Sequence, residues 1–453
     1  MKAYDLIVLG GGPAGYCAAE RAGAMGKSVL LLERAKLGGV CLNEGCIPSK
    51  TLLNSAKVFK YAAHGEPYGI SAENVTADPA AIVARKNDVV KKLVAGVGMK
   101  MKKHGVEVVS ARGMLAGRGA EGIYVEANDE RFAGTNVLIA TGSEPSVPPI
   151  AGAREGVSSG EIWTSRQALD AMGIPPRLCV IGGGVIGMEM AGYFSAMGSK
   201  VTVVEMLPTI GGPVDPAIAA ALLNSYPDID FCLNSRVTEI QAERVFFDRA
   251  GKSEIVEADR VLLCIGRRPS AEGIGLETLH IATERGAVLT DASGRTNVPG
   301  VYAAGDVNGR SMLAHTAYRE AECAVAAMFG EAQKVDYDVI PSVIYTTPEI
   351  ACVGLTEAQA KERGYAVKTV MLPMAYSGRY LAESSGDASF LSVVADAKAR
   401  RLLGVHMIGP YASEIIYGAG FMVSTRMTIE ALRQQVFPHP TVAEILREAL
   451  FEL

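Results

Sequence analysis

Two cysteines near the amino terminus have the spacing of a redox pair. Cys41 and Cys46 are separated by four residues, and Lys50 follows Cys46 by one helical turn. A disulfide between them would cross-link little chain, and no second cysteine pair or nearby histidine completes a tetrahedral metal set. A helix start and a neighbouring cation both lower a thiol pKa and favour the thiolate. We therefore interpret the pair as a redox-active dithiol–disulfide.

A glycine motif precedes these cysteines. An apolar run leads into Gly10-x-Gly12-x-x-Gly15, a helical pattern follows, and the next apolar run ends at Glu33. In this setting the first glycine permits a tight turn, the second lets a pyrophosphate approach the backbone, and the third allows close packing of helix and strand. The helix amino terminus would attract the phosphates, and Glu33 would accept hydrogen bonds from a ribose.

The same pattern of apolar run, glycine motif, helix and acid occurs again at Gly182-x-Gly184-x-x-Gly187, and here the acid is Glu205. In both copies the acid follows the last glycine by 18 residues, since 33 − 15 = 18 and 205 − 187 = 18. Glycine-rich turns between strands and helices would explain one such motif, but two with matching acids predict two bound dinucleotides. A carboxylate at Glu205 repels a 2′-phosphate, so the second nucleotide is predicted to be NAD and not NADP.

Length, composition and charge limit the number of domains and the classes of partner. The 453 residues exceed what one hydrophobic core can organise, and the net charge of −5 is spread without runs of one sign. Neither nucleic acid nor an anionic membrane is therefore expected as a partner, and no metal is expected. The start of the chain lacks a signal-peptide pattern, which predicts a cytoplasmic protein. The other cysteines are predicted to be small core residues, namely Cys17, Cys179, Cys232, Cys264, Cys323 and Cys352.

The segment 38–50 resembles the redox motif of the pyridine nucleotide–disulfide oxidoreductases. Its Ile-Pro-Ser-Lys ending at Lys50 is similar to that of the dihydrolipoamide dehydrogenase branch, whereas glutathione and trypanothione reductases usually have Val-Pro-Lys-Lys. The resemblance extends over nearly the whole chain. It implies FAD at the first glycine motif, NAD at the second, and oxidation of dihydrolipoamide.

Five further segments carry the resemblance. Segments 140–143 and 265–269 resemble the two returns to the flavin domain, and 300–306 resembles the second flavin motif, with Asp306 on the ribityl chain. Segment 312–315 resembles a helix start facing the flavin ring, and 437–444 the carboxy-terminal acid–base motif. The candidate cofactor-binding residues are Gly10, Gly12, Ala14, Gly15, Glu33, Gly39, Lys50, Gly113, Thr141, Gly142, Ser143, Gly182, Gly184, Val185, Ile186, Gly187, Glu205, Val237, Gly266, Arg267, Asp306, Met312, Leu313, Ala314 and His315.

The resemblance also implies catalytic roles. Cys41 forms the mixed disulfide with substrate, and Cys46 lies against the flavin as a thiolate. His439, oriented by Glu444, takes the substrate thiol proton and serves the disulfide of the other subunit of a homodimer. Lys50 pairs with Glu189 in the second glycine-motif helix, and a cis peptide bond precedes Pro440. The expected partners are lipoyl domains of 2-oxo-acid dehydrogenase or glycine cleavage complexes.

The predicted fold class is α/β, with two Rossmann-like dinucleotide-binding domains and an α+β carboxy-terminal dimerisation domain. We expect an FAD domain over 1–145, an NAD domain over 146–265, a central domain over 266–335 that completes the FAD site, and an interface domain over 336–453.

Three other functions of this fold fit the sequence less well than oxidation of dihydrolipoamide. A mercuric ion reductase needs another cysteine pair near the carboxy terminus, but the last cysteine is Cys352. A soluble transhydrogenase of this fold lacks the disulfide. A flavoprotein scaffold or sensor would not need both cysteines together with His439 and Glu189. Another dithiol as the substrate remains open.

Overall fold

The computed structural model describes residues 1–453 except Ala242, Ser385 and Asp387. The helices are α1 (Pro13–Ala24), α2 (Gly39–Glu44), α3 (Cys46–Ala63), α4 (Pro79–Lys103), α5 (Ala153–Ser159), α6 (Ser165–Ala168), α7 (Val185–Ala196), α8 (Pro216–Asn224), α9 (Ala314–Phe329), α10 (Glu357–Glu362), α11 (Gly378–Glu383), α12 (Ala412–Ser424), α13 (Ile429–Arg433) and α14 (Glu444–Glu452).

The strands in the first half of the chain are β1 (Lys2–Leu9), β2 (Val29–Glu33), β3 (Glu107–Ser110), β4 (Met114–Gly119), β5 (Gly122–Ala127), β6 (Glu130–Ile139), β7 (Ser143–Pro145), β8 (Ile162–Thr164), β9 (Arg177–Ile181), β10 (Lys200–Val204) and β11 (Ile229–Cys232). Those in the second half are β12 (Ser235–Gln241), β13 (Arg244–Arg249), β14 (Lys252–Glu257), β15 (Arg260–Leu263), β16 (Arg267–Pro269), β17 (Thr283–Glu284), β18 (Ala287–Val288), β19 (Val301–Ala303), β20 (Ser342–Ile344), β21 (Ile350–Gly354), β22 (Val367–Pro373), β23 (Phe390–Asp396) and β24 (Arg401–Ile408).

The first sheet has the order β3-β2-β1-β6-β5-β4, and β19 adds to it beside β6. Strands β3, β2, β1, β6 and β19 run parallel, whereas β5 pairs antiparallel with both β6 and β4. The end of β1 is buried on both faces, since Leu6, Ile7, Val8 and Leu9 are at most 1% exposed. That continuous apolar run is typical of a central parallel strand covered on both sides.

The second sheet is parallel throughout and has the order β11-β10-β9-β15-β8. Its strand β9 leads into the second glycine turn as β1 leads into the first. The chain passes between the two sheets twice, at β7 and at β16, and these two strands pair with each other as a separate antiparallel ribbon. Both nucleotide-binding units thus present a glycine turn at the carboxyl end of a central strand, as predicted.

The carboxy-terminal part is an antiparallel sheet of order β20-β21-β24-β23-β22, on which α12 and α14 pack. The α+β pattern predicted from the sequence is confirmed. One apolar cluster joins all three parts, because it contains Leu52 of α3, Val180 of β9 and Ile408 of β24. Helix α3, which begins at Cys46, is therefore held between the other two units.

Five of the six cysteines that were assigned to the core are buried, and Cys232 is only half-buried. Among the described residues, no helix combines the length and the apolar character that a membrane span requires.

Candidate active site

The first glycine turn leaves space for a ligand at one glycine only. A Cβ on Gly10 (φ +104°) would lie 2.4 Å from the Ala140 carbonyl oxygen, and a Cβ on Gly15 would lie 1.8 Å from the Gly10 oxygen. A Cβ on Gly12 would meet nothing nearer than 3.8 Å. The first and third glycines are thus required by packing, whereas the second borders open space at the start of α1.

The second turn repeats this geometry. A Cβ on Gly182 (φ +102°) would lie 2.4 Å from the Cys264 carbonyl oxygen, and a Cβ on Gly187 would lie 1.9 Å from the Gly182 oxygen. Gly184 has nothing within 4 Å of its Cβ position. Helices α1 and α7 begin without a side-chain cap, so their first N–H groups face this space. Both turns fit a pyrophosphate.

The two acids are held in the same way. Glu33 accepts hydrogen bonds from Gly11 N at 2.6 Å and from Ala35 N at 2.7 Å. Glu205 accepts from Gly183 N at 2.6 Å and from Leu207 N at 2.7 Å. Each carboxylate is fixed at the edge of its glycine turn and keeps lone pairs for a further donor. This arrangement places a negative charge where a ribose would lie.

The cysteine segment lies directly against the first glycine turn. Gly38 N donates to the Gly11 carbonyl at 2.8 Å, and a Cβ on Gly39 (φ +56°) would lie 2.6 Å from the Gly12 Cα. Asn43 secures the turn, because its amide donates to the Leu37 and Gly39 carbonyls at 3.0 and 2.9 Å. Such close approach requires glycine at 39 and brings the redox pair beside the candidate FAD site.

The two thiols differ in acidity. Both are free in the structure, and the Cys41 thiol hydrogen-bonds to Cys46. That hydrogen bond, with the charge of Lys50, lowers the pKa of Cys46 to about 7 against the opposing effect of burial. The same bond raises the pKa of Cys41. Cys46 is therefore the more acidic of the two thiols.

Lys50 and Glu189 form the ion pair that the resemblance implies. Lys50 Nζ lies 3.0 and 2.9 Å from the two carboxylate oxygens of Glu189, which is only 4% exposed. Tyr345 N donates to the same carboxylate at 3.1 Å, and its ring centroid is 4.3 Å from Lys50 Nζ. These contacts fix the redox helix to α7 and to the carboxy-terminal sheet.

A second polar network joins strands β7 and β16 to the 300–306 segment. Ser143 Oγ donates to Asp306 Oδ2 at 2.5 Å and accepts from Arg267 Nε at 2.7 Å. Arg267 also donates to the Ser143 carbonyl at 2.8 Å, and burial lowers its pKa. Thr141 Oγ1 donates to the Ser270 carbonyl at 2.7 Å. The structure therefore brings Ser143, Arg267 and Asp306 together.

Helix α9 begins beside this network. Leu313 stands at its N-cap without a side-chain cap, and Met312 and Ala314 flank it half-buried. His315 Nε2 lies 2.7 Å from the Pro341 carbonyl oxygen. The uncapped start leaves N–H groups for an acceptor, which fits the pyrimidine edge of a flavin.

Glu320 is a site residue that sequence reasoning missed. It is 1% exposed on α9, accepts from Gly305 N at 2.6 Å and from the Tyr337 hydroxyl at 2.7 Å, and burial raises its pKa. Glu320 thus anchors the turn that carries Asp306. The signal was a lone acid on the otherwise small and apolar face of α9.

His439 is held by a carboxylate, as the resemblance implies. Its Nδ1 lies 2.8 Å from Glu444 Oε1, and Glu444 Oε2 accepts from Thr441 N at 2.9 Å. The Thr441 N–H and then His439 lower the pKa of Glu444. The predicted cis bond before Pro440 is confirmed. The imidazole is 78% exposed, and within the described residues it makes no hydrogen bond to Cys41 or Cys46 of its own chain.

The remaining candidates lie in three settings. Gly142 and Gly266 have positive φ and open space at their Cβ positions, and Val185 and Ile186 are on the first turn of α7. Ala14 is buried on α1. Gly113 packs against Leu9 and Leu32, and Val237 on β12 is buried in the core.

Residues 4–321 match the model of the pyridine nucleotide-disulphide oxidoreductases, and residues 340–450 match the dimerisation domain of these enzymes. The chain belongs to the pyridine nucleotide-disulphide oxidoreductase family.

Two similar curated relatives are both named dihydrolipoyl dehydrogenase. The Rhizobium etli protein is 35% identical over 100% of this chain and 98% of its own length. The Thermus scotoductus protein is 39% identical over 99% of this chain and 97% of its own length.

Two solved structures share the fold. LpdA of Mycobacterium tuberculosis superposes with a TM-score of 0.91 at 26% identity, over 100% of this chain and 99% of that one. RclA of Escherichia coli, an HOCl-induced flavoprotein disulfide reductase, gives 0.85 at 27% identity over 100% and 99% of the two chains.

Proposed function

We propose that the chain is a dihydrolipoyl dehydrogenase, which uses FAD and NAD⁺ to oxidise protein-bound dihydrolipoamide to lipoamide. The observation that carries the proposal is the position of the thiol pair, which lies against the first glycine turn at the start of α3, with the paired Lys50 one turn further along that helix. Lys50 also helps to make Cys46 the more acidic thiol. Relatives of that name match over the full length. Glu205, held by its two backbone donors, supports NAD at the second site.

The two glycine turns, each followed by a helix without a side-chain cap, support the proposal that two dinucleotide cofactors bind. Gly10, Gly12, Gly15 and Glu33 would hold the adenosine diphosphate part of FAD, with Asp306 on its ribityl chain. The second turn would hold NAD. When bound, FAD would supply the two-electron chemistry that couples oxidation of the dithiol to reduction of NAD⁺.

The side chains account for the thiol steps. A substrate thiolate attacks the Cys41 sulfur of the oxidised pair, the Cys41–Cys46 bond breaks, and its electron pair stays on Cys46. Lys50 and the low pKa of Cys46 make it a good leaving group. The second substrate thiol then attacks the substrate sulfur of the mixed disulfide. The lipoyl disulfide forms, Cys41 is released, and His439 Nε2, with Nδ1 held by Glu444, takes the proton.

We propose that His439 acts on the cysteines of the partner subunit. The exposure of its imidazole and the dimerisation-domain match support a shared site. We also propose lipoyl domains of 2-oxo-acid dehydrogenase or glycine cleavage complexes as partners. The cytoplasm is proposed as the compartment, because Cys41 and Cys46 are the only two of the eight cysteines proposed to form a disulfide, and that disulfide is catalytic.

The domain division stays a proposal as well. Strand β15 is the last strand of the second sheet along the chain, which supports a boundary near residue 265. Strand β19 belongs to the first sheet, which supports assigning 266–335 to completion of the FAD site.

The test is a steady-state assay of the purified flavoprotein with dihydrolipoamide and NAD⁺, followed by NADH formation. We expect turnover that Cys46→Ser abolishes. NADH-dependent reduction of another disulfide without oxidation of dihydrolipoamide would instead indicate a related disulfide reductase.

A further inference from the structure

Two tyrosines from distant parts of the chain meet near the redox pair. The hydroxyl oxygens of Tyr16 on α1 and Tyr318 on α9 lie 2.5 Å apart. Their ring centroids are 5.9 Å apart with the planes inclined by 55°. Tyr16 is 9% exposed and Tyr318 is half-buried. None of the steps described above uses this pair.

The backbone brings Cys41 to the same place. Gly39, which begins α2, touches Gly12, which caps α1, and Tyr16 N donates to the Gly12 carbonyl at 2.9 Å. Cys41 is two residues beyond Gly39, and Tyr16 is one turn beyond Gly12. Cys41 and Tyr318 both pack against the apolar cluster that contains Tyr16. The two phenols and Cys41 thus belong to one packed cluster, and the charge of Cys41 acts on both phenols.

The pair has a proton to offer. One hydrogen bond between two phenols uses one of their two hydroxyl protons, so the other is free for a third group. Burial raises the pKa of both phenols, so both are protonated at neutral pH. The titratable groups that face them are the thiols of Cys17, Cys41 and Cys46. Lys50 is the cation on the facing helix α3, and it is paired with Glu189.

We propose that the Tyr16–Tyr318 pair donates a hydrogen bond to the Cys41 sulfur when that sulfur leaves as a thiolate. The proposal deepens the proposed function and rests on it. In the second thiol step the bond between Cys41 and the substrate sulfur breaks, and its electron pair stays on Cys41. The substrate gains its internal disulfide, and its thiol proton goes to His439. Tyr318 or Tyr16 stabilises the new anion without losing its own proton.

This assignment explains why the pair is needed at that step. In the structure the Cys41 thiol hydrogen-bonds to Cys46 and lowers the pKa of Cys46. While Cys41 is bound to substrate it has no proton to donate, and Lys50 lies on the Cys46 side. A neutral hydroxyl donor stabilises a departing thiolate through a charge-assisted hydrogen bond. It does so without adding a second cation beside Lys50.

The test compares Tyr318→Phe and Tyr16→Phe, each of which removes one oxygen. Tyr4→Phe is the matched control, because Tyr4 is 9% exposed in the same unit and its hydroxyl bonds to Glu107 at 2.8 Å, at the other end of β1. Each holoenzyme is reduced anaerobically with dithiothreitol, desalted and treated with iodoacetamide across a pH series. The alkylated Cys41 peptide is then quantified by mass spectrometry.

We expect both active-site variants to raise the pH midpoint of Cys41 alkylation by about one unit, which corresponds to a tenfold lower acid dissociation constant of the Cys41 thiol. We also expect kcat with dihydrolipoamide to fall several-fold at unchanged FAD content. Midpoints equal to that of Tyr4→Phe in both variants would overturn the proposal. Because alkylation needs no turnover, an unmodified protein that failed to oxidise dihydrolipoamide would refute the proposed function alone.

Discussion

Lys50 and Glu189 join the redox helix to the second nucleotide-binding helix through an ion pair in which both carboxylate oxygens lie within 3.0 Å of the ammonium. The two charges act on Cys46 in opposite directions, since Lys50 lowers its pKa and Glu189 raises it. The ion pair therefore adjusts the pKa of Cys46, in addition to the larger effects of the Cys41 hydrogen bond and of burial.

Variants of this ion pair should move the Cys46 pKa in opposite directions. Lys50→Met removes the stabilising cation and should raise the pKa, whereas Glu189→Gln removes the opposing anion and should lower it. The measurement is the ultraviolet thiolate absorbance as a function of pH in a Cys41→Ser background, with Cys41→Ser alone as the reference. Shifts of the same sign in both variants would show that distortion, not charge, controls Cys46.

The individual cysteines should have distinct signatures. Cys41→Ser should leave a permanent thiolate at Cys46 and keep the thiolate–flavin absorption band. Cys46→Ser should abolish that band. Both variants should retain FAD, because the glycine turn that would bind its pyrophosphate does not include either thiol. Absorption spectra of the two oxidised holoproteins decide the matter, and exchanged behaviours would reverse the assignment.

Nucleotide preference should follow the charge at Glu205. The unmodified protein should favour NAD⁺ over NADP⁺, because a 2′-phosphate would lie beside the carboxylate. Removing one repulsion of about 1–2 kcal/mol in Glu205→Gln should narrow the preference by roughly tenfold, and Glu205→Arg should narrow it further or reverse it. The ratio of kcat/KM for the two nucleotides measures this, and equal values in the unmodified protein would refute it.

The sequence predicted the parts of the site that are local. The glycine turns and the acids that follow them depend on short segments whose spacing is visible in the chain, whereas the cis bond before Pro440 was expected through resemblance. The strands around them follow from continuous apolar runs. The start of α1 differed from the prediction, because the helix begins at Pro13 inside the glycine motif and not after it.

Contacts between distant segments were not predictable from residue patterns. Tyr16 and Tyr318 are 302 residues apart, and only the packing of α1 along α9 brings their hydroxyls together. Glu320 places a carboxyl group on the buried face of α9, where an acid is not expected. Only the fold shows that the Gly305 N–H and the Tyr337 hydroxyl are its hydrogen-bond donors. The Lys50–Glu189 pair spans 139 residues and was expected only through resemblance.

Subunit complementation tests the central claim, which is oxidation of dihydrolipoamide at a site built from two chains. Cys46→Ser and His439→Gln are each expected to give a nearly inactive homodimer. In a heterodimer of the two, one site would combine intact cysteines from one chain with an intact His439 from the other.

The measurement is NADH formation from dihydrolipoamide by heterodimers purified through two different affinity tags, with each homodimer as a control. The account predicts recovery of about half of the unmodified activity, since one of two symmetric sites is restored. Verified heterodimers that stay as inactive as the parent homodimers would contradict a shared site.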